Sequence, residues 1–236
     1  MDDKKKFFAV QKYENSADVY IFGDIVDEQW WSEETSPYSL KTQLEALDVS
    51  EINVHINSYG GSVAAGWAIY NTLKQSKANV HTYADGFVCS AAIYPFLAGE
   101  KRTASALSAF FLHQAWTIAS GNADELRAEA DAIEKTTEIG ITAIAMESGM
   151  TVDAVREMVK AETWLKPEEA VSCGIATELD DSGSGASQSI AKQIMQRFFN
   201  APNERPGIPA APAQERQEEP AEKPAKSLMQ FIAESI

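Results

Sequence analysis

The sequence predicts an α/β fold, because segments with the periodicity of strands alternate along the chain with segments that have the periodicity of helices. Residues 51–57 (Glu-Ile-Asn-Val-His-Ile-Asn) place an apolar side chain at every second position, as a half-buried strand does. Residues 62–75 instead carry Trp67, Ile69, Tyr70 and Leu73 at helical spacing. This alternation is repeated along the chain and favours an α/β domain.

The remaining elements follow the same order. Further strands are predicted over residues 18–25, 78–83 and 108–113, and further helices over 37–47, 89–97, 122–147, 151–161 and 167–174. Asp124 and Glu125 lie in the first turn of the longest helix, where acidic side chains complement the helix dipole. Gly86 is expected to permit a tight turn between the strand over 78–83 and the helix that follows.

The composition changes near Asp181, which predicts two parts of different character. Residues 182–236 carry as many basic as acidic side chains, so the formal net charge of −15 belongs to residues 1–181. A Ser-Gly-Ser-Gly-Ala-Ser stretch follows Asp181, and residues 201–226 are rich in proline. We predict a folded domain over residues 1–181 and a flexible linker with a Pro-rich tail over 182–236, including two short amphipathic helices at 187–200 and 226–236.

Composition and charge exclude several function classes. The apolar runs are too short for a transmembrane helix and no signal peptide is recognisable, so we expect a cytoplasmic protein without a membrane partner. Two cysteines, Cys89 and Cys173, and three histidines form no cluster typical of a metal site, so neither a metal nor a cofactor is expected. The strong acidity argues against nucleic acid as a partner, since phosphate contacts need Lys and Arg.

Three local patterns lie at strand ends or strand-to-helix junctions and carry possible chemistry. Ser90 lies at or near the N-terminus of the predicted helix over 89–97, where it is either a nucleophile or a simple N-cap. His113 closes an apolar strand and is either a site residue or a packed one, whereas His55 and His81 lie within strands and are expected to be structural. Gly60-Gly61 leads from a strand into a helix, where free backbone N–H groups bind an anion or an oxyanion.

These patterns lie within a longer stretch that carries a resemblance. Residues 18–179 resemble the proteolytic subunit of the Clp protease (ClpP), a serine peptidase of the ClpP/crotonase fold. The similarity runs through residues 20–25, 56–61, 66–70, 86–92, 98–102, 111–114 and 165–175. It implies a ClpP/crotonase-like α/β fold of repeated strand–helix units, with a protruding handle helix in the place of residues 124–150.

The resemblance also implies a role for each site residue. Ser90 matches the nucleophile and His113 the general base of a serine peptidase. The amides of Gly60 or Gly61 and of Ala91 match the family's oxyanion hole. Glu162 stands where the family commonly has the aspartate that orients the base; the alternative is a solvated carboxylate at the end of a helix.

Several residues depart from the family's pattern. The extra methylene of Glu162 changes the reach of the acid. Cys89 precedes the nucleophile where alanine is usual, and Tyr59 stands where the family has proline. The segment 182–236 has no counterpart in the usual family member.

Together these features predict a serine endopeptidase that assembles into rings and acts on polypeptides. The tail and the acidic core are similar to the ClpP-related head maturation proteases of phages and prophages, which implies scaffold or capsid proteins as substrates and docking of the tail to scaffold or procapsid. The alternatives are a housekeeping Clp subunit served by an external ATPase, a catalytically inert assembly protein of the same fold, and an acyl-CoA enzyme of the crotonase type, a class that needs no Ser–His pair.

Overall fold

The computed structural model describes residues 8–27, 37–45 and 48–180, which form a mixed sheet with helices packed on one face. The predicted linker, tail and amphipathic helices at 182–236 lie outside the described residues. The strands are β1 (Phe8–Lys12), β2 (Ser16–Phe22), β3 (Glu51–Ser58), β4 (Asn79–Cys89), β5 (Lys101–Ala104), β6 (Ala109–Leu112), β7 (Thr163–Leu165) and β8 (Glu178–Leu179). The helices are α1 (Pro37–Glu45), α2 (Val63–Lys74), α3 (Ile93–Leu97), α4 (Ala123–Ser148), α5 (Val152–Lys160) and α6 (Pro167–Ser172), and a 3₁₀ turn (Ser90–Ala92) joins β4 to α3.

The long strand β4 organises the sheet. The main path runs β1-β2-β3-β4-β5-β8, and β2 to β5 and β8 are parallel. The first half of β4 pairs with β5, whereas its last residues, Phe87–Cys89, pair with β6. Strand β6 in turn pairs antiparallel with β7. This arrangement brings the carboxyl ends of β3, β4 and β6 to one edge of the sheet.

One face of the sheet is buried and the other is only half covered. Burial alternates along β2 and β3, as the periodicity predicts for a strand with one buried face. Strand residues such as Val54 and Ile56 pack with Ile69 of α2 and Phe96 of α3 in the apolar core. On the opposite face His55 stacks between Tyr20 and Tyr83 and lies 2.9 Å from the Asp85 carboxylate.

The prediction that a strand ends at Tyr83 and turns at Gly86 is wrong, because β4 continues to Cys89. The amide of Phe87 donates to the side-chain oxygen of Asn57, 3.0 Å away, and the pairing of β3 with β4 changes register between Ile56 and Ser58. A Cβ at Gly86 would lie 2.4 Å from that Asn57 oxygen. The glycine therefore serves the close approach of two strands and not a turn.

The helices agree with the sequence in position, and three of them begin at a side-chain cap. Ser62, Asn122 and Thr151 each accept a hydrogen bond from a backbone N–H in the first turn of α2, α4 and α5. The predicted helix over 89–97 is shorter, because Cys89 belongs to β4. No described helix is long and apolar enough to cross a membrane.

Arg102 links three parts of the chain through hydrogen bonds. The residue is 8% exposed, and its guanidinium donates to four backbone carbonyls, those of Gly99, Glu147, Gly174 and Ile175. These acceptors belong to the end of α4, the turn between α3 and β5, and the segment after α6. Arg102 thereby fixes the end of α4, a helix that also lines the site described below.

We expect Arg102→Lys to lower the free energy of unfolding by about 2–4 kcal/mol, because a lysine cannot reach all four carbonyls and leaves buried acceptors unpaired. Denaturant unfolding measures the change. The matched control is Lys101→Met, which removes only the exposed ion pair with Glu178 and should cost much less than Arg102→Lys. Equal losses in the two variants would contradict this role of Arg102.

Candidate active site

Ser90 and His113 meet where β4 and β6 end. The Nε2 atom of His113 lies 2.8 Å from the hydroxyl oxygen of Ser90, within hydrogen-bond distance. The pairing of Cys89 with Phe111 ends the two strands side by side, one residue before Ser90 and two residues before His113. A hydroxyl and an imidazole at this distance have the geometry of a nucleophile and its base.

The backbone of Ser90 is strained. Its φ angle is 54°, in the left-handed region that residues with a side chain rarely adopt. The N-cap position of the 3₁₀ turn is taken by Cys89, and the hydroxyl of Ser90 points to His113 instead of capping. The alternative of a simple N-cap serine is therefore wrong.

Gly60 and Gly61 form a loop directly against Ser90. Both have positive φ, 100° and 137°. A Cβ on Gly60 would lie 2.8 Å from the Cβ of Ser90 and 2.9 Å from the amide nitrogen of Ala91, and a Cβ on Gly61 would lie 2.1 Å from the carbonyl oxygen of Ile25. Only glycine fits at either position.

The two glycine amides differ in what they bind. The amide of Gly60 donates to the hydroxyl of Ser58 at 3.0 Å. No described residue accepts from the amide of Gly61, whose two flanking groups, Gly60 O and Ser62 N, are bonded to Ile25. The sequence left Gly60 and Gly61 as alternatives, and this pattern favours Gly61 as the free donor.

The short strand β7 brings Glu162 to His113. In the antiparallel pair, Phe110 lies opposite Leu165, Phe111 opposite Trp164 and Leu112 opposite Thr163. The same register continued by one residue sets His113 opposite Glu162. Glu162 has a φ of 51°, and Ser90 and Glu162 are the two residues other than glycine with positive φ in the described part of the chain.

Burial and charge act in opposite directions on His113. Burial lowers the pKa of the imidazole below its usual value, since it disfavours the charged form, while the carboxylate of Glu162 and the backbone of Gln114 raise it by a smaller amount. The net pKa is lowered, so the imidazole is neutral near pH 7. A neutral imidazole can accept a proton from Ser90.

A small cavity opens beside Ser90, between α3 and the two helices α4 and α5. Its volume is about 30 Å³, and no charged side chain lines it. Its apolar walls include Leu112, Ile141, Ile144 and Val159. Tyr94 closes it on the α4 side, with its hydroxyl 2.2 Å from where a Cβ of Gly140 would lie.

Aromatic rings beside His113 were missed by the sequence analysis. The ring of Phe111 stacks on that of His113 at 5.2 Å, and Trp164 stacks on Phe111 at 4.4 Å. Phe87 meets the edge of Trp164 and stacks on Tyr59, which is 66% exposed. The available signal was the spacing, since Phe111 lies two residues before His113 and Trp164 two after Glu162.

Comparison with known proteins agrees with this geometry. The chain is 32% identical over 139 residues to an ATP-dependent Clp protease proteolytic subunit 2 of Treponema pallidum, covering 58% of this chain and 70% of that protein. It is 34% identical over 147 residues to the ATP-dependent Clp protease proteolytic subunit of Bacteroides fragilis, covering 60% and 71%. The sequence model of the family described as Clp protease matches residues 30–182. The chain belongs to this family.

The structure of a ClpP1 variant from Listeria monocytogenes is similar to this Clp-family chain. The TM-score is 0.57 at 29% sequence identity, with 66% of this chain and 86% of that chain covered. The expected ClpP fold is thereby confirmed. Clp proteases are serine peptidases, so the paired serine and histidine lie in a fold that a family of serine peptidases uses.

Cys89 departs from the family's usual alanine without adding a second nucleophile. Its side chain is buried, and burial raises the pKa of the thiol to about 12. The thiol therefore stays protonated at neutral pH.

The electrostatics of the site predict how His113 titrates. We expect its pKa to lie below 6.5 in the native protein and to fall further in Glu162→Gln, because the carboxylate that favours the imidazolium is removed. Histidine NMR over a pH series measures both values, with the His113 signal assigned by its loss in His113→Gln. Glu157→Gln, an exposed carboxylate in α5, is the matched control. A His113 pKa that does not change in Glu162→Gln would contradict the contact.

Proposed function

We propose that this chain is a serine endopeptidase in which Ser90 is the nucleophile and His113 the general base. The supporting observation is the 2.8 Å contact between the two side chains, made by a serine with a strained backbone. His113 takes the Ser90 proton as the oxygen attacks the scissile carbonyl, and then gives it to the leaving amine. Water reverses the same steps to release the acyl group.

Gly61 and Ala91 are the proposed oxyanion donors. The Gly61 amide is held by the bridge to Ile25, and it has no partner among the described residues. The Ala91 amide lies in the first turn after β4, where N–H groups lack a partner within the helix. Two fixed donors beside the nucleophile stabilise the negative charge that develops on the carbonyl oxygen.

Glu162 is the proposed third member of the site. Its position opposite His113 and the effect of its charge on the His113 pKa support this role. A carboxylate there favours the imidazolium that forms during the reaction and keeps the ring in its productive orientation.

The proposed substrates are polypeptides with an uncharged, apolar residue at the cleavage site. The cavity beside Ser90 is where the side chain preceding the scissile bond would lie, and its lining offers no charged partner. Clp proteases form rings that degrade polypeptides, and we propose that this chain also assembles in this way.

The first test is active-site labelling with a fluorophosphonate, recorded together with the native mass. We expect labelling of the wild-type chain on a ring-sized particle and none in Ser90→Ala, since only an activated serine reacts. The rate of labelling in Glu162→Gln should fall by about 100-fold or more, because the imidazole of His113 loses its charge partner.

Two controls make this result specific. Ser62→Ala removes another serine of the glycine loop, one that bonds Asp27 and caps α2, and should label like the wild type if folded. Glu157→Gln should do the same. Unlabelled wild-type rings would contradict the proposed enzyme and favour the inert assembly protein.

For the finer role we propose processing of scaffold or capsid proteins during phage head maturation. The support is the acidic 1–181 part and the extra 182–236 segment with its predicted apolar helices, through which the chain would dock to scaffold or procapsid. The names of the relatives favour a second candidate, a Clp subunit that works with an external ATPase.

A cleavage assay on an unfolded protein, with and without an unfoldase and ATP, separates the two candidates. The head maturation role predicts complete cleavage without nucleotide and loss of packaging into immature heads when residues 187–236 are deleted. A strict requirement for the unfoldase, or unchanged packaging of the deleted chain, would contradict it.

A further inference from the structure

The β6–β7 pair carries two neighbouring cross-strand pairs of side chains on the same face. The first pair, at the ends of the strands, is the proposed base and acid, His113 and Glu162. The second is an aromatic pair, Phe111 and Trp164, which lie directly opposite each other in the register. The centroids of these two rings are 4.4 Å apart, with 23° between their planes.

The aromatic pair supports the proposed base through the contact of Phe111 with the imidazole ring of His113. Phe111 lies 5.2 Å from His113 between ring centroids, with only 15° between the planes, so one face of the imidazole is covered by the phenyl ring. Parallel aromatic contacts of this kind restrict rotation of the smaller ring and are attractive beyond the area they bury. The negative face of a phenyl ring also favours an imidazolium over a neutral imidazole.

Core packing does not account for these two rings. Phe110 and Leu112, the residues on either side of Phe111, are fully buried and belong to the apolar core. Phe111 and Trp164 are only half-buried and point to the opposite face. Two large aromatic side chains on a half-covered face contribute less burial than core residues do, and one of them, Phe111, stacks on the proposed base.

We propose that Phe111, held in place by Trp164, is a positioning residue that fixes the plane of His113 and stabilises its protonated form during the reaction. The inference rests on the proposed function. A glutamate has one more rotatable bond than an aspartate, so Glu162 restrains the imidazole less, and the stacked ring supplies the missing restraint. Trp164 acts through Phe111, because it lies one ring further from the imidazole.

The test compares Phe111→Leu with Phe111→Tyr, which keeps the ring, and with Phe87→Leu, the same change in an aromatic residue that meets Trp164 but not His113. We expect Phe111→Leu to lower kcat for a peptide substrate about tenfold, or about 1.4 kcal/mol, with KM within about twofold. We expect the pKa of His113 to fall in the same variant. Phe111→Tyr should restore both values, and Phe87→Leu should leave both unchanged.

Trp164→Leu tests the same proposal in a second way, because it removes the ring that stacks on Phe111 without changing a residue of β6. It should lower kcat and the His113 pKa in the same direction by a smaller amount. The proposal is overturned if Phe111→Leu leaves kcat and the His113 pKa unchanged, or if Phe87→Leu lowers them equally.

Failure of the proposed function gives a different pattern. In that case the wild-type chain itself shows no labelling that depends on Ser90. The NMR titration of His113 needs no activity and still tests the role of the Phe111 ring. A lower His113 pKa in Phe111→Leu that is restored in Phe111→Tyr supports this role, and an unchanged pKa overturns it.

Discussion

The short antiparallel pairing of β6 with β7 is the contact on which the candidate site depends. Strand β6 receives its position from the end of β4, and β7 adds the face that carries Glu162 and Trp164. A slip of one residue in this register would turn both side chains to the opposite face of the sheet. The register is held by the burial of Phe110, Leu112 and Leu165 and by the bond of the Thr163 hydroxyl to the Met158 carbonyl.

Backbone strain is concentrated at two of the three proposed catalytic residues. Ser90 and Glu162 both have positive φ, which costs each of them about 1–3 kcal/mol. Neither conformation persists unless its surroundings enforce it. At Ser90 they do so through the close contact of Gly60 and the bond to His113, and Glu162 lies between the end of α5 and the start of β7. The core thus stabilises a geometry that the local chain disfavours.

The sequence predicted the elements that have enough residues to show a period. The alternation in β3, the positions of the helices, and the position of His113 at the end of a strand all came from local patterns. Strands as short as β7 and β8 show no period, and the extension of β4 through Gly86 depends on Asn57, a residue from another strand. Glu162 was identified only through resemblance to a family, because its proximity to His113 arises from strand pairing. The ring of Phe111 was missed although its spacing of two residues from His113 was a local signal.

The departures from the family's pattern are better explained by an adapted enzyme than by an inert relative. Cys89 replaces a small apolar residue with a thiol that stays protonated, so it does not compete with the neighbouring Ser90 as a nucleophile. Glu162 keeps the negative charge that acts on His113, although its side chain is longer. Glycine at position 90 or 162 would relieve the strain in an assembly protein that needed only the fold. A chain without catalytic work has no physical reason to keep both strained residues together with a 2.8 Å contact between serine and histidine.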